Sequence, residues 1–131
     1  MFTVEQIKAA HSKVKSGADF PGYISDLKNL GVIAYETLVT DGHTNYHGAD
    51  AYNVSSPGWY SALDIADTPN VELFKANLKA HQQGQTDYMT FCNHCANAGV
   101  DKWIVSILDM TCCYYDKAGN KLLIEAIPQQ T

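Results

Sequence analysis

The sequence has little of what the commonest functional classes require. No run of apolar residues approaches the ~20 needed to span a bilayer. The N-terminus has no basic stretch followed by an apolar one, because Glu5 and Lys8 interrupt its first turns. A cytoplasmic location and no membrane partner are therefore expected. Basic residues are few: nine Lys and Arg stand against fourteen Asp and Glu, and the formal net charge is −5. They form no cluster, so nothing supplies the phosphate contacts that drive nucleic-acid binding, and no nucleic-acid partner is expected. There is no P-loop and no G-x-G-x-x-G fingerprint. The nearest approach to a serine elbow, Ser55-Ser56-Pro57-Gly58, lacks the G-x-S-x-G pattern and reads as a turn.

What is present is a chain of 131 residues, 46% apolar and 18% charged, enough for one core without disulfides or metals. It is written twice. A shift of 67 aligns Val4 with Val71, Glu5 with Glu72, Lys8 with Lys75 and Ala9 with Ala76. A shift of 68 then aligns Asp19-Phe20 with Asp87-Tyr88, Gly31-Val32 with Gly99-Val100, and Tyr35 with Trp103. The expectation is a single domain, residues 1–131, of two similar halves at about 3–58 and 70–128. Each half reads helix–helix–strand–strand–strand. The fold class expected is α+β, with an antiparallel sheet packed under helices in two layers. Neither half is large enough to stand alone, so the halves should share one sheet about a pseudo-two-fold axis.

Local signals place the elements. Thr3 and Gln6 have the spacing of a capping box ahead of a helix with Val4, Ile7, Ala10 and Val14 on one side, ended by Gly17. A second helix begins near Asp19, tolerates Pro21 in its first turn and stops at Gly31. Alternation then takes over in residues 33–40, with Ile33, Tyr35, Thr37 and Val39 on one face. Asp41-Gly42 is a turn, and Tyr46 and Tyr52/Val54 mark two short strands bent at Gly48. Residues 55–69 connect the halves, anchored by Trp59 and Ile65. Helices at about 70–83 and 87–98 follow, with strands near 102–108, 111–115 and 121–127. His81 falls at the end of its helix, where a cation suits the dipole.

Four cysteines invite a zinc reading, since C-x-x-C is half of a structural site. Adjacent Cys112 and Cys113 would point to opposite faces of a strand. Cys92 and Cys95 lie inside a helix, in the slots of Ile24 and Leu27. They read as small core hydrophobes, reduced in a cytosolic compartment. No cofactor is expected.

The segment from Asp41 to Tyr60 is the most suggestive chemically. Asp41, His43 and His47 are of metal-ligating type, but His43 and His47 on an extended strand lie ~13 Å apart, so no metal is assigned to them. A histidine beside an aspartate is also an acid/base pair, though no nucleophile accompanies it. With Tyr46, Tyr52, Trp59 and Tyr60, these three residues form the candidate ligand site.

The stretches FTVEQIKAAHSKVKSGADFPGYISDLKNLGV, YETLVTDGHTNYHGADAYNVSSP and YYDKAGN resemble the YbcV-like proteins, small bacterial and prophage-encoded proteins loosely labelled phage envelope proteins. The resemblance spans essentially the whole chain. It implies an accessory role and carries no activity, cofactor or catalytic residue to positions here. The leading reading is a non-enzymatic protein that binds a small molecule or a protein partner. The alternatives are a metal-binding or hydrolase-like protein using Asp41, His43 and His47, and a homo-oligomer in which strand 121–127 pairs with its own copy.

Overall fold

A computed structural model describes residues 2–14, 19–58 and 60–127. Gly17 and Trp59, expected to end a helix and to anchor the connector, lie outside the described residues. Among those described, four α-helices and one six-stranded antiparallel sheet make an α+β fold.

The first half runs α1 (Val4–His11), α2 (Phe20–Leu30), β1 (Val32–Leu38), β2 (Thr44–Gly48) and β3 (Asn53–Ser56). The second runs α3 (Val71–Gln82), α4 (Tyr88–Asn97), β4 (Lys102–Ser106), β5 (Thr111–Tyr115) and β6 (Lys121–Ala126). At eight residues α1 is too short to persist alone, isolated helices needing roughly 12–15. Its start is held by the expected capping box. The Gln6 backbone N–H donates to the Thr3 hydroxyl at 3.2 Å, and the Thr3 N–H donates to the Gln6 side chain at 2.9 Å. Ile7 and Ala10 then bury its inner face. Gly31 stops α2 with φ 102°, a left-handed conformation that suits glycine. The carboxamide of Asn70 and the carboxylate of Asp87 cap α3 and α4 by accepting from Leu73 N–H and Thr90 N–H.

The strand order is β3-β2-β1-β4-β5-β6, with the two halves meeting at β1 and β4. There Tyr35 pairs with Val105, Glu36 with Ile104 and Thr37 with Trp103. Exchanging the halves at the 68-residue shift, Tyr35 for Trp103 and Thr37 for Val105, maps this register onto itself. The neighbouring pairs obey the same exchange: Tyr35 lies opposite Tyr46, and Trp103 opposite Tyr114.

Tyr35, Thr37, Val39, Thr44 and Tyr46 are buried on the sheet face that meets the helices, as are Trp103, Val105, Ile107, Cys112 and Tyr114. Glu36, Leu38, Ile104, Cys113 and Tyr115 on the other face are half-buried, and His47 and Ile124 are exposed. One face position differs from the alternation. A bulge between Val32 and Ala34 turns Val32 into the core at 2% exposure and leaves Ile33 half-buried. His81 also departs from expectation. Its ring stacks on Phe91 with centroids 4.3 Å apart, and its Nδ1 meets the Thr86 hydroxyl at 3.1 Å. Burial lowers its pKa, so it is a packed, neutral-leaning ring and not a cation for the helix dipole.

Candidate functional site

The described residues of the segment from Asp41 to Tyr60 are spread over the β1–β2 turn, β2, β3 and the connector. The β1–β2 hairpin turn holds Asp41 and His43 together: Oδ1 of Asp41 lies 2.5 Å from His43 Nδ1 and accepts the His43 backbone N–H at 3.0 Å. Those two contacts, the backbone one first, hold the Asp41 carboxyl below its usual range. The pair fixes one imidazole nitrogen and leaves the other for chemistry. His47 lies exposed further along β2, opposite Ala34 and Asn53. Among the described residues no three His, Cys, Asp or Glu side chains converge as a metal site would need.

Tyr52 and Tyr60 fasten the chain. The Tyr52 hydroxyl donates to the Phe2 carbonyl at 2.6 Å, and its ring meets Phe2 edge-on. The Tyr60 hydroxyl donates to the Val39 carbonyl at 2.6 Å and ties the connector to the end of β1. The cysteine pair is core: Cys92 and Cys95 are fully buried, as are Ile24 and Leu27 at the corresponding places on α2. Burial raises both thiols, although Tyr60 and Tyr88 hydrogen-bond to Cys92.

Tyr46 points inward instead, into a cleft that the sequence alone did not single out. Between α1 and α4, over β2 and β3, lies a space of about 110 Å³ lined by Val4, Ile7, Lys8, His11, Tyr46, Ser56 and Tyr88. Its floor is a chain of hydroxyls. Tyr46 hydrogen-bonds with Tyr23, Thr44 and Ser56. Ser56 Oγ accepts the Thr44 N–H at 3.2 Å, and the Thr37 and Thr44 hydroxyls lie 3.0 Å apart. Burial raises the pKa of Tyr46, so it stays a neutral phenol. His11 stands at the mouth, edge-on to Tyr23 at 5.3 Å and to Tyr88 at 6.3 Å. Partial burial lowers its pKa. A larger hollow of about 260 Å³ lies between α1 and α2, walled by Ala10, Lys13, Asp19, Tyr23 and Asp26.

At the positions that the 67- and 68-residue shifts bring opposite, the packing is closed. Tyr23, Tyr35 and Tyr46 form an aromatic row, and Phe91, Trp103 and Tyr114 occupy the corresponding positions with similar centroid spacings. Where the first half has Ile7 and His11, the second has Phe74 and Leu78, exposed by 0% and 5%. Phe74 lies 4.8 Å from Tyr114. Thr37 and Thr44 are replaced by Val105 and Cys112, both buried. Lys8, His11, Ser56 and Tyr88 were missed by motif reading because none belongs to a motif. The signal that could have found them is the internal alignment, in which His11 falls opposite Leu78.

Compared with known proteins, the chain has no significant match among curated ones. A family model described as "Protein of unknown function (DUF1398)" matches residues 8–126, from the middle of α1 to the end of β6. Cleft and sheet alike fall within that span but for Val4 and Ile7, and the chain belongs to this family.

Proposed function

We propose that this protein binds a small molecule in the cleft between α1 and α4. The observation that carries the reading is the contrast between corresponding halves. Phe74 and Leu78 close the second half with apolar packing. Ile7, His11, Tyr46 and Ser56 leave the first half open and polar over a hydroxyl floor. Burying hydroxyls costs stability wherever apolar side chains could pack. Local departures from good packing of this kind concentrate at functional sites. The contrast takes the halves as copies of one duplicated unit, a reading that the self-consistent sheet register supports. At about 110 Å³ the space lies well below the roughly 300–1,000 Å³ of drug-sized sites, so the ligand has few heavy atoms. An accessory role of bacterial or prophage origin accords with the resemblance to the YbcV-like proteins.

The test is a native mass spectrum of protein purified from cells, beside a variant carrying Ile7→Phe and His11→Leu, the residues of the second half. The wild type should carry an added small mass that the variant lacks. A bare wild type whose cleft resonances no small-metabolite fraction perturbs would remove the reading.

The same spectrum reads a second proposal, a homo-oligomer. It is favoured by β6, a six-residue edge strand whose Ile124 is 53% exposed beside Cys113 on the uncovered sheet face. A dimer mass would support pairing of β6 with its copy, and a monomer at high concentration would count against it.

A further inference from the structure

We infer that the ligand of the α1–α4 cleft is a small organic carboxylate, with its charged end at Lys8 and His11 and its short apolar body against Val4, Ile7 and Tyr88. This rests on the binding reading above and narrows it to a chemical class.

Charge in the cleft runs against that of the whole chain. The chain has an excess of acids, fourteen against nine bases. Yet the ionisable side chains lining the cleft are Lys8, His11 and the phenols of Tyr46 and Tyr88, with no Asp or Glu among them. The groups that face His11 agree: Tyr23 from α2, Tyr88 from α4 and Lys8 one turn back on α1. Burial alone lowers its pKa, without an opposing carboxylate. Lys8, like Lys28, Lys79 and Lys121, has no ion-pair partner among the described residues, but of these four it alone lines the cleft. Lys8 thus brings a cation, and the His11 ring an N–H donor, to a cleft that no carboxylate lines.

The hydrogen-bonding capacity of the cleft is also one-sided. The Tyr46 hydroxyl can donate to a ligand oxygen, and the imidazole N–H can do the same, whereas the Ser56 hydroxyl donates to the Thr44 carbonyl at 3.5 Å. Lys8 adds donors and no acceptor. The cleft therefore offers an excess of donors, which suits an acceptor-only group such as a carboxylate. Hydrogen bonds to a charged acceptor are also roughly twice as strong as neutral ones. The small volume and the walls of Val4, Ile7 and Tyr88 set the remainder: a few carbon atoms, apolar or aromatic.

The corresponding place in the second half is of opposite character. There Leu78 takes the position of His11, and Glu125 the position of Ser56 one residue further along the alignment. Glu125 is held by the Gln82 side chain at 3.1 Å. That half is closed and carries a negative group, so it would repel the ligand that the first half attracts.

The experiment is a titration of isotopically labelled protein with acetate, propionate, butyrate and benzoate, each beside its amide and the corresponding amine, read by two-dimensional NMR. The carboxylates should shift resonances of His11, Tyr46 and Ser56. They should bind at least about tenfold more tightly than the amides, as one charge-assisted hydrogen bond implies. Lys8→Gln should remove that preference while the spectrum elsewhere stays folded, and His11→Leu should abolish binding. Amides or amines that bind in the cleft as tightly as carboxylates would overturn the carboxylate assignment and leave the binding reading standing. A panel that perturbs no cleft resonance at tens of millimolar would overturn both.

Discussion

The two helix cysteines show how far a single side chain can be read once its slot is known. Out of context Cys92 and Cys95 resemble half a zinc site. The alignment with Ile24 and Leu27 reads them as packing, and all four side chains are at most 1% exposed. Cys112 and Cys113 split across the strand as the two-residue period requires, the first buried and the second half-exposed on the outer face. Cys92→Ala or Cys95→Ala should therefore lower stability by on the order of 1 kcal/mol through lost packing, read as a drop in urea midpoint. A chelator should leave the wild-type midpoint unchanged, and unfolding by the chelator would defeat the packing account. His81 was misread at the same scale. Helix position suggested a cation, but the neighbours that decide its charge, Phe91 and Thr86, come from α4 and from the loop before it.

At the scale of elements, the start of α1 and the stop of α2 were legible because their chemistry is local, whereas α1 was expected to run on past Val14 and ends at His11. Thr3 with Gln6, Asn70, Asp87 and Gly31 all act within a few residues of themselves. Bulges were not legible. The shift between Val32 and Ala34 depends on pairing with β2, which alternation along β1 does not reveal. The two helix-ending glycines allow a graded test. Gly31 and Gly99 hold positive φ values of 102° and 85° at corresponding positions. A Cβ on Gly31 would meet only Phe2, at 3.9 Å, whereas one on Gly99 would lie 2.7 Å from the Pro69 backbone. Gly31→Ala should cost about 1–2 kcal/mol, the left-handed penalty alone. Gly99→Ala should cost distinctly more, because the chain at Pro69 must move to admit the methyl group. Chemical denaturation of both variants decides it, and equal losses would show that the Pro69 contact is soft.

At the scale of the whole molecule, β1 and β4 are neighbours at the middle of one six-stranded sheet. The order of strands was beyond the sequence, since antiparallel edges of similar composition can pair in more than one order. The cleft was hidden for a related reason: it lies between helices of different halves, and Lys8 and Tyr88 are eighty residues apart in the chain. The price of keeping that cleft polar should appear in the pH dependence of stability. Burial lowers the pKa of His11 and of His81 from 6.5, so each ring in the folded state resists protonation. The unfolded chain binds those protons at its ordinary pKa. Below about 6.5 it therefore holds more protons than the native state, and stability falls as pH falls until the folded rings also titrate. The carboxyls of Asp41 and Asp87, whose pKa values are lowered from 3.8 by hydrogen bonds, act in the same direction at lower pH. Their stabilisation is full above 3.8 and is lost as pH drops through their folded values. Urea midpoints should thus decline in two stages on acidification, one beginning near pH 6.5 and one near pH 3.8. His11→Leu with His81→Phe should flatten the first stage and leave the second. A first stage that survives both substitutions would mean that other groups carry the acid sensitivity.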